Sequence, residues 1–125
     1  MSGILDRAKA HYDGLDRQKI KVPEWGSPKS PLIITFSPLT VAQRRKIYRA
    51  DDKGKSPDGG TVCVRAVILK ACDEAGQRLF DDMAEHDLTH SVDADVVGRI
   101  ADAILFRNAP VGSSVEETIE AEKNG

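Results

Sequence analysis

Aromatic residues are scarce in this 125-residue chain. Phe, Trp and Tyr make up only 5% of it, with a single tryptophan, Trp25. Aliphatic side chains must therefore supply most of any core. Cysteine is scarcer still. Cys63 and Cys72 are the only two, nine positions apart. On one helix they would point about 180° away from each other, which excludes an intrahelical disulfide. Free thiols fit a reducing compartment. No apolar run approaches the ~20 residues of a membrane-spanning helix. The opening Met1-Ser-Gly-Ile-Leu-Asp-Arg7 has no apolar core and no cleavage pattern of a secretory signal, so a cytoplasmic protein is expected. Neither sign of charge dominates: 18 Lys and Arg stand against 20 Asp and Glu, for a formal net charge of -2. That balance gives no overall drive toward nucleic acid or an anionic membrane.

The usual signatures of chemistry are missing too. His86 and His90 are four apart on an expected helix, and two cysteines lie upstream, which invites a zinc reading. The cysteines, however, are much farther apart than the two to four residues usual in zinc fingers. Solvated histidines and buried thiols are the better account, and no metal or other cofactor is expected. Nothing around either cysteine favours a thiolate, so Cys-His catalysis has no support. Gly59-Gly60 is followed by no Gly-Lys-Ser/Thr ending and is no phosphate loop. Asp51-Asp52 and Asp81-Asp82 suit loops and helix caps, and Asp93 and Asp95 suit a helix first turn. The expectation is a protein without a catalytic constellation.

What the chain does have is one dense apolar stretch, Thr61-Val-Cys-Val-Arg-Ala-Val-Ile-Leu-Lys-Ala-Cys72. Its β-branched residues allow a buried strand, but its length and the following Gly76 favour a helix. Val62, Ala66, Leu69 and Cys72 would share one side, with Cys63, Val67 and Ala71 beside them. Arg65 and Lys70 would flank that face. A helix so apolar needs neighbours on several sides, and is expected to be the core.

Before it, Ser2 can cap a marginal helix that turns Ile4, Leu5 and Ala8 inward and ends at Gly14. Ile20 and Val22 alternate with Lys19 and Lys21, as in a half-buried strand, and Pro23 makes it an edge strand or marks its end. Trp25 is expected to anchor one end of the sheet. Gly26 to Pro31 turns the chain into a second strand, Leu32 to Phe36, giving an antiparallel hairpin over 19–36. Leu39 to Ala50 reads as a helix, with Thr40 and Gln43 at capping-box spacing. Leu39, Ala42, Ile47 and Tyr48 would face inward. Asp51 to Gly60 is rich in breakers and reads as a flexible loop.

After the central helix, Leu79 and Phe80 should plug the core. Asp82 and Glu85 suggest a capping box for a short helix through Leu88. Ser91 would cap a helix from Val92 to Arg107, ended by Asn108 and Pro110. Val92, Val96, Ile100 and Ile104 recur every four residues there, the clearest amphipathic pattern in the chain. A last helix over 113–125 carries only Val115 and Ile119 as large apolar residues, too narrow a stripe to hold it firmly. The whole is expected to be one α+β domain: a marginal segment 1–18, a β-hairpin, a helical core over 39–107, and a loosely held C-terminal helix.

Arg44, Arg45, Lys46, Arg49, Lys53 and Lys55 form a basic cluster. A solvated face explains it best. The alternative is a small nucleic-acid-associated regulatory protein using Arg44 to Lys55, although a DNA reader would want a helix-turn-helix there.

The order of several segments carries a resemblance. A lysine-rich strand runs into Val22-Pro-Glu-Trp-Gly26. Leu39-Thr-Val-Ala-Gln-Arg44 opens a helix. An apolar helix closes with Ala71-Cys-Asp-Glu-Ala-Gly-Gln-Arg-Leu-Phe80. Ser114-Val-Glu-Glu and Ala121-Glu-Lys-Asn-Gly125 come last. This series, covering about Lys19 to Gly125, resembles the tail assembly chaperones of long-tailed bacteriophages and prophages. The resemblance implies a non-enzymatic protein of the bacterial host cytoplasm, absent from the mature virion. It would bind the tape measure protein, keep it soluble and help recruit tail tube subunits. Self-association is left open. Val115 and Ile119, then Arg44, Arg45 and Arg49, are the expected contact residues for such a partner.

Overall fold

The computed structural model of the protein describes residues 3–27 and 29–106. The Ser2 cap, the Asn108–Pro110 stop and the helix over 113–125, with Val115 and Ile119, lie outside them.

The first helix, α1 (Gly3–Asp13), buries none of its residues. Ile4 and Leu5 are exposed rather than turned inward, as is Ala8. Two large apolar residues and one alanine give too little area to offset the cost of fixing the helix against the core. It ends at Gly14, whose N–H reaches Ala10 O at 3.0 Å. The Tyr12 hydroxyl ties it to the rest by donating to Pro38 O at 2.7 Å.

Strands β1 (Gln18–Ser27) and β2 (Ser30–Phe36) form the antiparallel hairpin. The register is regular from Gln18 opposite Phe36 to Val22 opposite Leu32, and resumes only at Ser27 opposite Ser30. Of the two readings of Pro23, the edge strand holds: it lies within β1, one of the two strands of the sheet. Pro23 and Pro31 both fall in the irregular stretch, where their missing N–H groups cost no ladder bond. Val22, Ile34 and Phe36 are fully buried, while Lys19 and Lys21 face solvent. Trp25 packs edge-on against Phe80, ring centroids 6.1 Å apart, and anchors this end of the hairpin as expected.

Helix α2 (Val41–Tyr48) starts at a complete capping box. Gln43 N–H donates to Thr40 Oγ1, and Thr40 N–H to Gln43 Oε1. Ile47 is its buried residue; Ala42 is exposed, contrary to expectation. Leu39 and Tyr48 pack at the core's margin. The next loop is organised by Asp51, whose carboxylate accepts from the N–H groups of Lys53 and Lys55.

Helix α3 (Gly59–Lys70) is the hub, touching α2, α4 (Glu85–His90) and α5 (Ala94–Leu105). Asp58 caps it by accepting from Thr61 N–H. Val62, Val64, Ala66, Val67 and Ile68 are buried, so its apolar surface runs almost all round. Two details differ from the sequence reading. Cys72 lies past the helix end, in an extended bridge to Thr35, whose N–H and C=O exchange bonds with it at 2.8 and 2.9 Å. Lys70 does not flank the apolar face: it is buried, and its ammonium donates to Ser37 Oγ at 2.7 Å and Gln43 Oε1 at 3.1 Å.

Leu79 and Phe80 pack against the core. A 3₁₀ turn, Asp82–Ala84, is capped by Asp81 rather than opened by an Asp82–Glu85 box. Likewise Asp93, not Ser91, caps α5, by accepting from Asp95 N–H; Val92 stands outside the helix. An aspartate one or two residues away won the cap in these cases, because its carboxylate reaches the N–H two residues on. Val96, Val97, Ile100, Ala101, Ile104 and Leu105 form the buried face of α5.

Candidate functional site

The basic cluster is the first place to look. Arg44 sends NH2 to Leu105 O, at 3.5 Å, on the last residue of α5. Arg49 donates to Lys46 O in its own helix at 2.9 Å. Arg65, from α3, donates to Ile47 O at 3.1 Å and Arg49 O at 2.7 Å, at the end of α2. Arg78 grips Ile68 O through Nε and NH2 at 3.2 and 2.8 Å, at the end of α3. Three helices thus have a guanidinium at their C-terminal carbonyls, where unpaired acceptors and the negative end of the helix dipole favour a cation. Burial, and then the neighbouring Arg49 charge, makes Arg65 less basic than an ordinary arginine. Of the three expected contact arginines, only Arg45 is exposed with no bond to a carbonyl described here; Arg44 and Arg49 are engaged by the fold.

The other candidates do not assemble. The His86 and His90 rings lie 4.6 Å apart, tilted 43° to each other, and both residues are exposed. No group of three or more His, Cys, Asp or Glu is placed to hold a metal ion among the described residues. Cys63 and Cys72 are not joined in a disulfide, and both are half-buried. No helix among the described residues is long and apolar enough to cross a membrane.

A concave feature among the described residues was not singled out from sequence. An open groove of about 720 Å³ lies between α3, α4 and α5. Its floor holds Val64, Leu88 and Val97; half-buried Cys63, Val92 and Gly98 open into it. Asp58, Asp95, Asp102 and Arg99 stand on its rim among the described residues. Arg99 is committed elsewhere: it makes a two-pronged ion pair with Glu24 of β1, 2.7 and 3.0 Å. That pairing holds the Glu24 carboxyl below its usual range and makes Arg99 more basic. Asp58 is also held in its charged form, chiefly by the Thr61 N–H. The sequence signal for this groove was Gly98, a glycine inside the most amphipathic helix.

Compared with protein-family models, with curated proteins and with solved structures, the chain matches none of them.

Proposed function

We propose that this chain is a tail assembly chaperone of a long-tailed bacteriophage or prophage, a non-enzymatic binding protein. In this reading it holds the tape measure protein soluble in the bacterial cytoplasm, helps bring tail tube subunits to it, and leaves before the tail matures. The observation that carries the reading is the ordered series of segments from Val22-Pro-Glu-Trp-Gly26 through Ala71 to Phe80 and on to the Glu-Lys-Asn ending.

The arrangement of those segments supports treating them as one unit. Trp25 of the first meets Phe80 of the second, and Glu24 reaches across to Arg99 of α5. Residues that mark the resemblance are therefore those that join hairpin, connecting segment and last helix. A small domain with an open apolar groove also suits a protein that holds another protein's helix.

Co-expression with the longest helical protein encoded beside this chain, followed by a pull-down, tests the proposal. The expected result is capture of that protein and its retention in the soluble fraction. If it is equally soluble alone and no complex forms, the proposal fails.

A further inference from the structure

We infer that the groove between α3, α4 and α5 is a docking trough for an amphipathic helix that is apolar on one face and basic along its flanks.

Shape comes first. The groove runs along α5 from Ala94 to Asp102, eight residue steps or roughly 12 Å, about two turns of a docked helix. Its volume, about 720 Å³, lies within the range of pockets that bury ligand side chains. The side chains that open into it are small, so a partner backbone can approach closely.

Gly98 is the second observation. It sits mid-helix, where glycine destabilises by roughly 0.5–1 kcal/mol relative to alanine. Among the described residues nothing requires it: its φ is not positive, and a Cβ built there meets no atom of theirs within 4 Å. Gly26 shows the contrast, since a Cβ there would lie 2.4 Å from Leu32 N. The space above Gly98 is open on the groove side, and keeping it open is what a docked helix needs.

Charge selects the occupant. Among the described residues, Asp58 and Asp95 put two carboxylates on the rim, and the guanidinium there, Arg99, is already bridged to Glu24. The N-termini of α3 and α5 both line the groove, but each supplies only about half a positive charge, so the described rim stays negative. This argues against the chain's own acidic 113–125 segment, with Glu116, Glu117, Glu120 and Glu122, and for a basic-flanked partner. For the identity of that partner in the cell the inference rests on the chaperone reading, as a segment of the client; the chemistry of the trough does not.

The test uses the full chain and two synthetic 18-residue helical peptides. Both carry leucine at helical i, i+3, i+4, i+7 spacing; one has lysine and the other glutamate at every flanking position. Fluorescence anisotropy should show saturable binding of the lysine peptide, at least tenfold tighter than the glutamate peptide. Gly98→Leu should weaken it at least tenfold at unchanged net charge, with a melting temperature no lower than the parent's. Asp95→Asn should weaken it by roughly threefold. Equal binding of the two peptides, or unchanged binding by Gly98→Leu, overturns the inference. So does binding that appears only in Val115→Ser/Ile119→Ser, which would make the chain's own segment the occupant. So does a dimer abolished by Gly98→Leu, which would make a second copy the occupant. A peptide failure with intact capture of the client condemns the trough alone; peptide binding without any client condemns the chaperone reading alone.

Discussion

Two glycines of similar appearance in the sequence have opposite places in the structure. Gly26 lies where β1 and β2 crowd together, against the backbone of Ser30, Pro31 and Leu32. Gly26→Ala should lower stability by about 1–3 kcal/mol, because backbone atoms cannot yield as a side-chain tip can. Gly98→Ala should raise it by roughly 0.5–1 kcal/mol, having space and a helical backbone. Urea unfolding of the two variants measures both signs; a loss at Gly98 would mean that the site is not open.

Lys70 makes a second argument at this scale. Burial is the main cause that pushes its ammonium below the ordinary value of 10.5, with Arg17 adding to it and Cys72 opposing. Between the lowered folded value and 10.5 the unfolded chain holds more protons than the folded one. Stability contributed by this site therefore rises with pH up to about the unfolded value. Lys70→Met keeps the volume and removes the charge, so it should be neutral or stabilising at pH 7. The parent should then gain on the variant as pH climbs toward 10.5. Parallel stability curves from pH 7 to 10.5 would show that Lys70 is not held in this way.

Among the elements, the helix ends carry a pattern that no single residue reveals. Arg65 at the end of α2 and Arg78 at the end of α3 supply donors that the helices lack. A hydrogen bond to a charged donor is worth about 1.5–3 kcal/mol, and partial exposure puts these at the lower end. Arg65→Met should therefore lower the unfolding free energy by about 1–2 kcal/mol with an unchanged m-value. Relief of Arg65 Nε, which is buried without an acceptor, offsets part of the loss. Arg45→Met, at an exposed position of the same basic cluster, should change stability by less than about 0.5 kcal/mol. If the two variants cost the same, the carbonyl contacts do not contribute. The cluster was a correct observation and an incomplete explanation: charge is visible along a chain, but the carbonyls it meets belong to other elements.

For the whole molecule, the hub helix and its neighbours divide the labour between fold and partner. Buried residues of α3 and α5 hold the domain, while Val115 and Ile119, with the groove, are the proposed partner surfaces. Val115→Ser with Ile119→Ser should leave the thermal midpoint within a few degrees of the parent and weaken capture of the client in the pull-down. A collapse of the midpoint would place these two residues in the core and remove them from the partner surface.

The chain's own pattern determined the class of fold. Alternation of Ile20 and Val22 with lysines, prolines at the hairpin, four-residue recurrence from Val96 to Ile104, and the Thr40–Gln43 box are local features, and local backbone preferences read them directly. Helix boundaries moved by a residue or two where two cap residues competed, as Asp93 did with Ser91. What only the tertiary structure decided depends on surfaces brought together from distant positions. Ile4 and Leu5 found nothing large enough to cover them. Lys70 was drawn inward by Ser37 and Gln43, over thirty and over twenty residues away. The groove exists because α3, α4 and α5 close around each other without filling the space above Gly98. A periodic pattern records which side of a helix is apolar; which part of that side stays uncovered is settled only when its neighbours are packed.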